Sequence, residues 1–210
     1  MVGKKIFCLF CVGMMMVSLT GCTIIFQKGR KSDLEKIDRL ESEVDRLSQI
    51  QAELEEKLKG IEGVKTSLED RGLVITFLDE ILFDSGKNKI KPEAFGALDQ
   101  VAGVITDKAP DLNVGVEGHT DNVPIKYSGW KDNWELSTAR ATSVLRYLVE
   151  KGVLPGKLVA IGFGEHHSVT ANDTAEGRRK NRRVEIVILP EMKKVAPEQP
   201  VMLEPAENLK

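Results

Sequence analysis

The stretch Glu117-Gly118-His119-Thr120-Asp121 closes a run, Leu112 to Glu117, in which apolar and polar side chains alternate. Alternation with a period of two is typical of a half-buried β-strand, and the glycine then ends the run. The sequence therefore predicts a strand that leads into a turn, on which the polar side chains from His119 to Asp121 are presented.

A second stretch, Asn133-Trp134-Glu135-Leu136-Ser137-Thr138-Ala139-Arg140-Ala141, follows an interruption and predicts the first turns of a helix. Asn133 is a favourable N-cap, because its side chain can accept a hydrogen bond from a free backbone N–H of the first turn. Residues seven apart on a helix lie on nearly the same face, so Arg140 projects from the same side as Asn133. A carboxylate at Asp121 and a guanidinium at Arg140 would suit a zwitterion, with Asp121 binding an ammonium and Arg140 binding a carboxylate. The alternative is a surface ion pair, worth roughly 0–1 kcal/mol.

The remaining pattern between Leu73 and Leu189 alternates strands with helices, which is typical of an α/β (α+β) sandwich. The predicted elements are a strand at Leu73–Phe77, an extended segment Ile81–Phe83 leading to Asp84, a helix from Pro92 to Lys108, a helix from Asn133 that closes at Gly152 and Pro155, a strand at Leu158–Gly162, at most a short helix within Ala171–Lys180, and a strand at Val184–Leu189.

The two stretches quoted above, together with Asn181-Arg182-Arg183-Val184-Glu185-Ile186, resemble the OmpA-like domain family, which includes the OmpA C-terminal domain, Pal and MotB. The resemblance covers roughly Leu73 to Leu189. It implies a mixed β-sheet of about four strands packed on helices. It also implies non-covalent binding of cell-wall peptidoglycan through the diaminopimelate of the peptide stem. The loop between Asp121 and Asn133 is longer than in the commonest members and is similar to the MotB-like branch.

The resemblance implies a set of peptidoglycan-binding residues, and several of them keep an alternative interpretation. Asp84 would be a rim carboxylate or simply a turn aspartate, and Arg183 would brace the sheet edge if Arg182 borders the site. Trp130 and Tyr127, in the longer loop, would cover the ligand or pin the loop to the domain. The predicted binding residues are Asp121, Arg140, Asp84, Thr120, Asn133 and Arg182.

The sequence argues against an enzyme. His166 and His167 are adjacent and diverge in a strand or loop, so together with His119 and Asp121 they do not form a metal-ligand motif. Ser137 has no histidine partner at a recognisable spacing, and no glycine-rich phosphate loop carries a lysine. The prediction is a binding domain that needs no metal and no cofactor.

The N-terminus predicts a lipid anchor. Lys4 and Lys5 precede an apolar run, Ile6 to Val17, which ends at Leu19-Thr20-Gly21-Cys22 and is similar to a bacterial lipoprotein signal. This similarity implies a signal peptide over 1–21, acylation (palmitate) of Cys22, a lipidated tether over 22–32 and, by analogy, anchoring in the cell outer membrane facing the periplasm. The alternative is an uncleaved anchor helix that continues to Phe26 and just spans a bilayer.

Between the tether and the globular part, the composition predicts a coiled-coil helix over 33–69. Leu40, Leu47, Leu54, Ile61 and Leu68 form a wholly apolar series at heptad spacing. The chain would then be a homo-oligomer, with the helix as a spacer of roughly 50 Å. The alternative is a single amphipathic helix lying on the globular domain. Gly60 and Gly63 cost roughly 1 kcal/mol each in a helix and would let its distal end fray or hinge.

Length and composition set the remaining bounds. The chain has 210 residues and a formal net charge of −2, without the basic excess of a nucleic-acid-binding protein. The predicted globular domain extends over 72–190, from the end of the coiled-coil helix to Pro190. The proline-containing segment 191–210 that follows is predicted to be disordered. The functional prediction is an outer-membrane lipoprotein of the cell envelope that ties the membrane to peptidoglycan. The alternative is a wall-anchored subunit of a membrane machine, stator-like or secretion-associated, with an uncleaved anchor.

Overall fold

The computed structural model describes residues 33–126 and 129–190. The predicted signal peptide, the tether with Cys22, Tyr127 in the long loop and the tail 191–210 lie outside the described residues. Within the described part of the chain, none of the helices is both long enough and apolar enough to cross a membrane.

Five α-helices and five strands are described, together with two short 3-10 helices, Pro92–Ala94 and Pro155–Lys157. The α-helices are 33–57 (α1), Asp79–Leu82 (α2), Phe95–Lys108 (α3), Asn133–Glu150 (α4) and Ala175–Asn181 (α5). The strands are Val64–Glu69 (β1), Gly72–Leu78 (β2), Val114–His119 (β3), Leu158–Gly164 (β4) and Arg183–Ile188 (β5).

The strands form one mixed sheet in the order β1-β2-β5-β3-β4. Strands β3 and β4 are parallel, and the other neighbours are antiparallel. The predicted mixed sheet with packed helices is therefore confirmed. The sheet has five strands where about four were expected, because β1 forms in a segment that was assigned to the helix.

The predicted continuous helix over 33–69 is wrong in its second part. The helix ends before Gly60 and Gly63, whose φ angles of 84° and 76° belong to the left-handed region that glycine adopts readily. The chain then reverses, and β1 pairs along its whole length with β2, from Val64 opposite Phe77 to Glu69 opposite Gly72. Backbone hydrogen bonding to a neighbouring strand thus outweighs the apolar heptad position of Leu68, whereas Ile61 lies between α1 and β1.

The second half of α1 packs against the globular domain. Leu47, Ile50, Leu54 and Leu58 are buried and belong to the main hydrophobic core. Arg46 supports this docking, since its guanidinium donates to Asp111 and, at 2.9 Å, to the carbonyl of Lys108 at the end of α3. This half of α1 matches the alternative of a helix lying on the domain.

The first half of α1 differs, because its apolar side chains are exposed. They are Leu34, Ile37, Leu40 and Val44. Their spacing of three and four residues places them along one face of the helix.

One face of the sheet is covered by helices and carries the core. Its side chains from β2, β3 and β5 are buried, and they pack with α1, α3 and α4. The segment Ile81–Phe83 was predicted to be extended, but most of it lies in α2. This short helix begins directly at the end of β2 and is fixed where the backbone N–H of Asp79 donates to the carbonyl of Arg182 at 2.9 Å.

Candidate functional site

Sheet topology brings three charged residues to one edge. Strand β5 runs antiparallel to β2 and β3, so its beginning meets their ends, and Arg183 is opposite both Leu78 and His119. The residues just beyond these strand ends therefore meet at the same edge of the sheet. They are Asp79 after β2, Thr120 and Asp121 after β3, and Arg182 before β5.

Helix α4 supplies the second guanidinium. Arg140 is 3% exposed, and its Nη1 lies 2.9 Å from the Asp79 carboxylate. Its Nε donates to the carbonyl of Lys87 at 2.9 Å, and its guanidinium lies 5.2 Å from the centre of the Phe83 ring. Nη2 takes no part in these contacts.

Asp121 is paired with Arg182 rather than with Arg140. Nη1 of Arg182 donates to Oδ2 of Asp121 at 2.6 Å, and Oδ1 of Asp121 accepts from the backbone N–H of Val123 at 3.0 Å. The site thus holds two carboxylate–guanidinium pairs, Asp79–Arg140 and Asp121–Arg182. The sequence predicts one carboxylate, Asp121, and one guanidinium, Arg140, whereas the structure has two of each.

Asn133 is not the N-cap of α4. That role belongs to Asp132, whose carboxylate accepts from the backbone N–H of Glu135 at 2.9 Å. Asn133 is the first helical residue and is buried, with its amide donating to Glu165 at 2.7 Å and to the carbonyls of Asp121 and Val123. It therefore fixes the backbone of the turn that carries Asp121. Asn and Asp cap helices about equally well, so residue type does not distinguish two adjacent candidates.

The paired charges line a cavity of about 520 Å³. Thr120 lines it too, and its buried hydroxyl has no hydrogen-bond partner among the described residues. One wall is formed by Val123, Pro124, Ile125 and Lys126 of the longer loop. Because buried polar groups are normally hydrogen-bonded, the Thr120 hydroxyl is suited to contact a guest in the cavity.

Burial determines the pKa shifts in the Asp79–Arg140 pair. It raises the pKa of Asp79 to about 6, although the charges of Arg140 and Arg182 act in the opposite direction. Burial also lowers the pKa of Arg140, against the effect of Asp79. Both charged forms are therefore less favourable here than in water, and a further partner of opposite charge would stabilise either of them.

The cavity gathers five of the six predicted binding residues: Asp121, Arg140, Thr120, Asn133 and Arg182. Asp84 is not among its lining residues. It is exposed, and its carbonyl accepts from the backbone N–H of Lys87 at 3.0 Å, which closes a turn. Arg183 lies on the opposite face of the sheet, where its Nε donates to Glu185 at 2.6 Å.

Trp130 holds the longer loop against the domain. Its Nε1 donates to the carbonyl of Gly86 at 2.8 Å, and it is not one of the residues that line the cavity. Of the two interpretations of this side chain, the contact favours pinning of the loop.

Sequence reasoning missed Asp79 and Phe83, which both line the cavity. Asp79 directly follows the apolar strand Leu73–Leu78, and Asp121 similarly lies two residues after the end of β3. The available signal was a carboxylate close to the end of a buried strand. It was overlooked because Ile81–Phe83 was predicted to be extended, so that no turn was expected at Asp79.

Comparison with known proteins identifies the family. Residues 82–182 match the OmpA family. The structure of the cell wall anchor of the T6SS from Pseudomonas aeruginosa is 30% identical, with a TM-score of 0.61, over 67% of this chain and 97% of that one. The chain belongs to the OmpA family.

One relative and one solved structure that are similar to this chain are named as motility protein B (MotB) or MotB-like. The chain is 38% identical to Motility protein B of Bacillus subtilis (strain 168) over 162 residues, 77% of this chain and 59% of that protein. The crystal structure of a putative MotB like protein from Desulfovibrio vulgaris has a TM-score of 0.67 at 28% identity, over 73% of this chain and 98% of that one. Other relatives are Outer membrane protein A of Bordetella avium, at 40% identity, and Probable lipoprotein YiaD of Escherichia coli (strain K12), at 33% identity. The chain spans 59% or less of the first three curated relatives it matches.

Proposed function

We propose that this OmpA-family domain binds peptidoglycan non-covalently, by holding the diaminopimelate of the stem peptide in the cavity at the sheet edge, without catalysis. The observation that carries the proposal is a cavity in which two carboxylates and two guanidiniums converge with a threonine hydroxyl that has no partner in the described part of the chain. Similarity to a protein described as a cell wall anchor supports it.

The geometry suggests how such a guest would be held. A zwitterionic end group carries one ammonium and one carboxylate at short separation. Nη2 of Arg140, which its protein contacts leave aside, would donate to the ligand carboxylate, and Asp121 would accept from the ammonium while it keeps its bond to the N–H of Val123. Charge-assisted hydrogen bonds of this kind are roughly twice as strong as neutral ones.

Arg182 acts as the exchangeable partner in this mechanism. Its side chain is 35% exposed, whereas that of Asp121 is 9% exposed, so Arg182 has room to turn towards a ligand carboxylate when the ligand ammonium takes its place at Asp121. The resting ion pair then neutralises Asp121 until the ligand arrives.

The test is binding of a soluble stem peptide that ends in diaminopimelate, measured by calorimetry, together with co-sedimentation of the chain with purified sacculi. We expect Asp121→Asn to weaken peptide binding about 10- to 100-fold, because the ammonium loses its charged partner. The matched control is Arg146→Ala, which removes an exposed guanidinium from the same helix α4 and should leave affinity unchanged. Equal affinity of Asp121→Asn and the unsubstituted chain would reject this site.

Arg140 needs a gentler variant than alanine. Its removal leaves Asp79 buried without a partner, and breaking a buried pair in this way typically costs about 3–5 kcal/mol. The double variant Asp79→Asn/Arg140→Gln removes both charges together, so a circular dichroism melt can verify folding before binding is measured. We expect the folded double variant to lose peptide binding.

Ligand chemistry gives a second, independent comparison. A stem peptide with lysine in place of diaminopimelate lacks the additional carboxylate that Arg140 is proposed to bind. We expect it to bind at least about tenfold more weakly.

At the level of the whole chain, we propose an outer-membrane lipoprotein, acylated at Cys22, that tethers the membrane to the wall from the periplasmic side. The Leu19-Thr20-Gly21-Cys22 motif supports this, as does similarity to a probable lipoprotein and to outer membrane proteins.

A wall-anchored subunit of a membrane machine is the second candidate, favoured by the 38% identity to Motility protein B. Mass spectrometry of the native protein distinguishes the two. A mature chain that begins at an acylated Cys22 supports the tether, and a chain that keeps an unmodified N-terminal segment supports the machine subunit.

A further inference from the structure

A second cluster of charged side chains lies on the sheet face that turns away from α4. Gly118 faces α4, so its neighbours Glu117 and His119 in β3 point to the other side. Glu185 of β5 is the direct cross-strand partner of Glu117. Like charges directly opposite each other destabilise a sheet, so this pair of carboxylates requires a cation.

Two guanidiniums provide that positive charge: Arg183 donates to one oxygen of Glu185 at 2.6 Å, and Arg71 contacts both carboxylates. Nη1 of Arg71 donates to Glu117 and its Nη2 donates to Glu185. The side chain is 39% exposed, and its Nε also donates to Glu69 at 3.0 Å. Arg71 is therefore a peripheral partner, which can leave the two carboxylates and remain paired with Glu69.

His119 lies beneath these carboxylates without a hydrogen bond. It is 3% exposed, and neither Nδ1 nor Nε2 has a partner among the described residues. Its Nε2 lies 3.8 Å from Glu185 and 4.0 Å from Glu117. Its ring stacks on Phe163, with the ring centres 5.2 Å apart, which holds the imidazole in place.

We propose that Glu117, His119 and Glu185 form a binding site for a divalent transition-metal ion such as Zn²⁺, which Arg71 closes in the metal-free protein. The three candidate ligand atoms all lie within 4.8 Å of one another. In a tetrahedral zinc site the ligand atoms are about 3.3 Å apart, so small side-chain rotations would bring them to coordinating distance.

The pKa shifts of two of the three ligands favour metal binding, whereas burial raises the pKa of the third ligand, Glu117. Burial lowers the pKa of His119 to about 3, so the imidazole is neutral and can donate an electron pair to a metal. Burial alone would raise the pKa of Glu185, but the charges of Arg183 and Arg71 outweigh it and the pKa is lowered. One imidazole and two carboxylates leave a fourth zinc position for water.

This site goes beyond peptidoglycan binding and is independent of it. Its three ligands lie outside the cavity that holds the paired charges. Metal binding can therefore be tested without any cell-wall ligand.

The experiment is titration of the full chain with Zn²⁺ alone, in a background where Cys8, Cys11 and Cys22 are replaced by serine so that no thiol competes. Calorimetry should show one site that is weakened at least about tenfold in His119→Gln and in Glu185→Gln. Arg71→Gln should bind Zn²⁺ at least about tenfold more tightly, because the competing guanidinium is gone. A merely structural role for these residues does not predict tighter binding.

His166→Gln is the matched control, since it removes an exposed imidazole that stacks on Trp134 and should leave zinc affinity unchanged. Nitrogen NMR of the imidazoles is measured on the serine-substituted background without any further substitution. This measurement does not depend on whether the other variants fold. Zinc should shift the resonances of His119 more than those of the other two histidines. Unchanged His119 resonances at saturating zinc, or equal affinity with and without Arg71, would overturn the proposal.

Discussion

At the scale of the residue, the site depends on the balance between burial and pairing at Asp79. Its carboxyl is buried beside Arg140, and burial dominates, since the pKa rises to about 6 from an ordinary value of 3.8. Between those two values the folded state binds more protons than the unfolded state. By linkage, the contribution of Asp79 to the free energy of unfolding falls as the pH rises through this range.

The first prediction follows from that sign. The free energy of unfolding of the unsubstituted chain, minus that of Asp79→Asn, should fall by about 1–3 kcal/mol between pH 4 and pH 7. Arg140 stays charged throughout, so its loss of a partner adds a constant offset and no slope. Urea denaturation at several pH values measures this difference, and Asp107→Asn, at an exposed position of α3, should give no slope. A difference that rises with pH would contradict the assignment.

At the scale of the element, close packing of α4 on the sheet sets the position of Arg140. A Cβ added at Gly118 would lie 2.1 Å from the carbonyl oxygen of Ser137. Gly162, its register partner in β4, is equally tight against Thr138. The helix backbone rests directly on these two glycines, and the Ser137 hydroxyl accepts from the N–H of Gly164 at 3.0 Å.

The second prediction concerns this contact. Gly118→Ala should reduce the free energy of unfolding by about 1–3 kcal/mol or more, because backbone atoms on both sides must move apart. The displaced helix carries Arg140, so stem-peptide affinity should fall as well. Gly103→Ala, in an exposed and open part of α3, is the matched control and should stabilise the protein by about 0.5–1 kcal/mol. Thermal and urea denaturation of the two variants checks both signs.

The elements also show what the sequence could and could not predict. The strand ending before Thr120 and the helix carrying Arg140 were predictable, because their periodicity and motifs are local. The pairing of Asp121 with Arg182 was not, since it depends on β5 running antiparallel to β3. These two side chains are 61 positions apart in the sequence, and only this strand arrangement brings them together.

The prediction of a coiled-coil helix over 33–69 was partly wrong for a different reason. An apolar residue at every heptad repeat is equally suited to a partner helix and to the flank of the chain's own domain. Leu47 and Leu54 are buried in the domain, and Leu68 belongs to β1. Nothing in the spacing itself distinguishes these outcomes, although the left-handed conformation open to Gly60 and Gly63 marks where the helix stops.

At the scale of the whole molecule, α1 divides into two parts with different surroundings. From Leu47 onward its apolar face is covered by the domain, whereas Leu34, Ile37, Leu40 and Val44 remain exposed. These four side chains form a continuous stripe over about three helical turns. The predicted self-association therefore depends on this shorter segment, where a second copy of the helix would cover the stripe.

The third prediction is that the chain dimerises through this stripe in solution. The double variant Ile37→Glu/Leu40→Glu should convert the dimer to a monomer, because it places four like charges in the middle of the seam. The domain should keep its melting temperature, since Ile37 is 48% exposed and Leu40 is 66% exposed. Sedimentation equilibrium measures the mass, and Arg39→Glu, at an exposed position between the two, is the matched control. A monomeric unsubstituted chain, or a dimer that survives the double variant, would place the contact elsewhere. In a dimer each chain presents one cavity, so two stem peptides would be held at once, and sacculus binding should exceed that of the monomeric variant at equal peptide affinity.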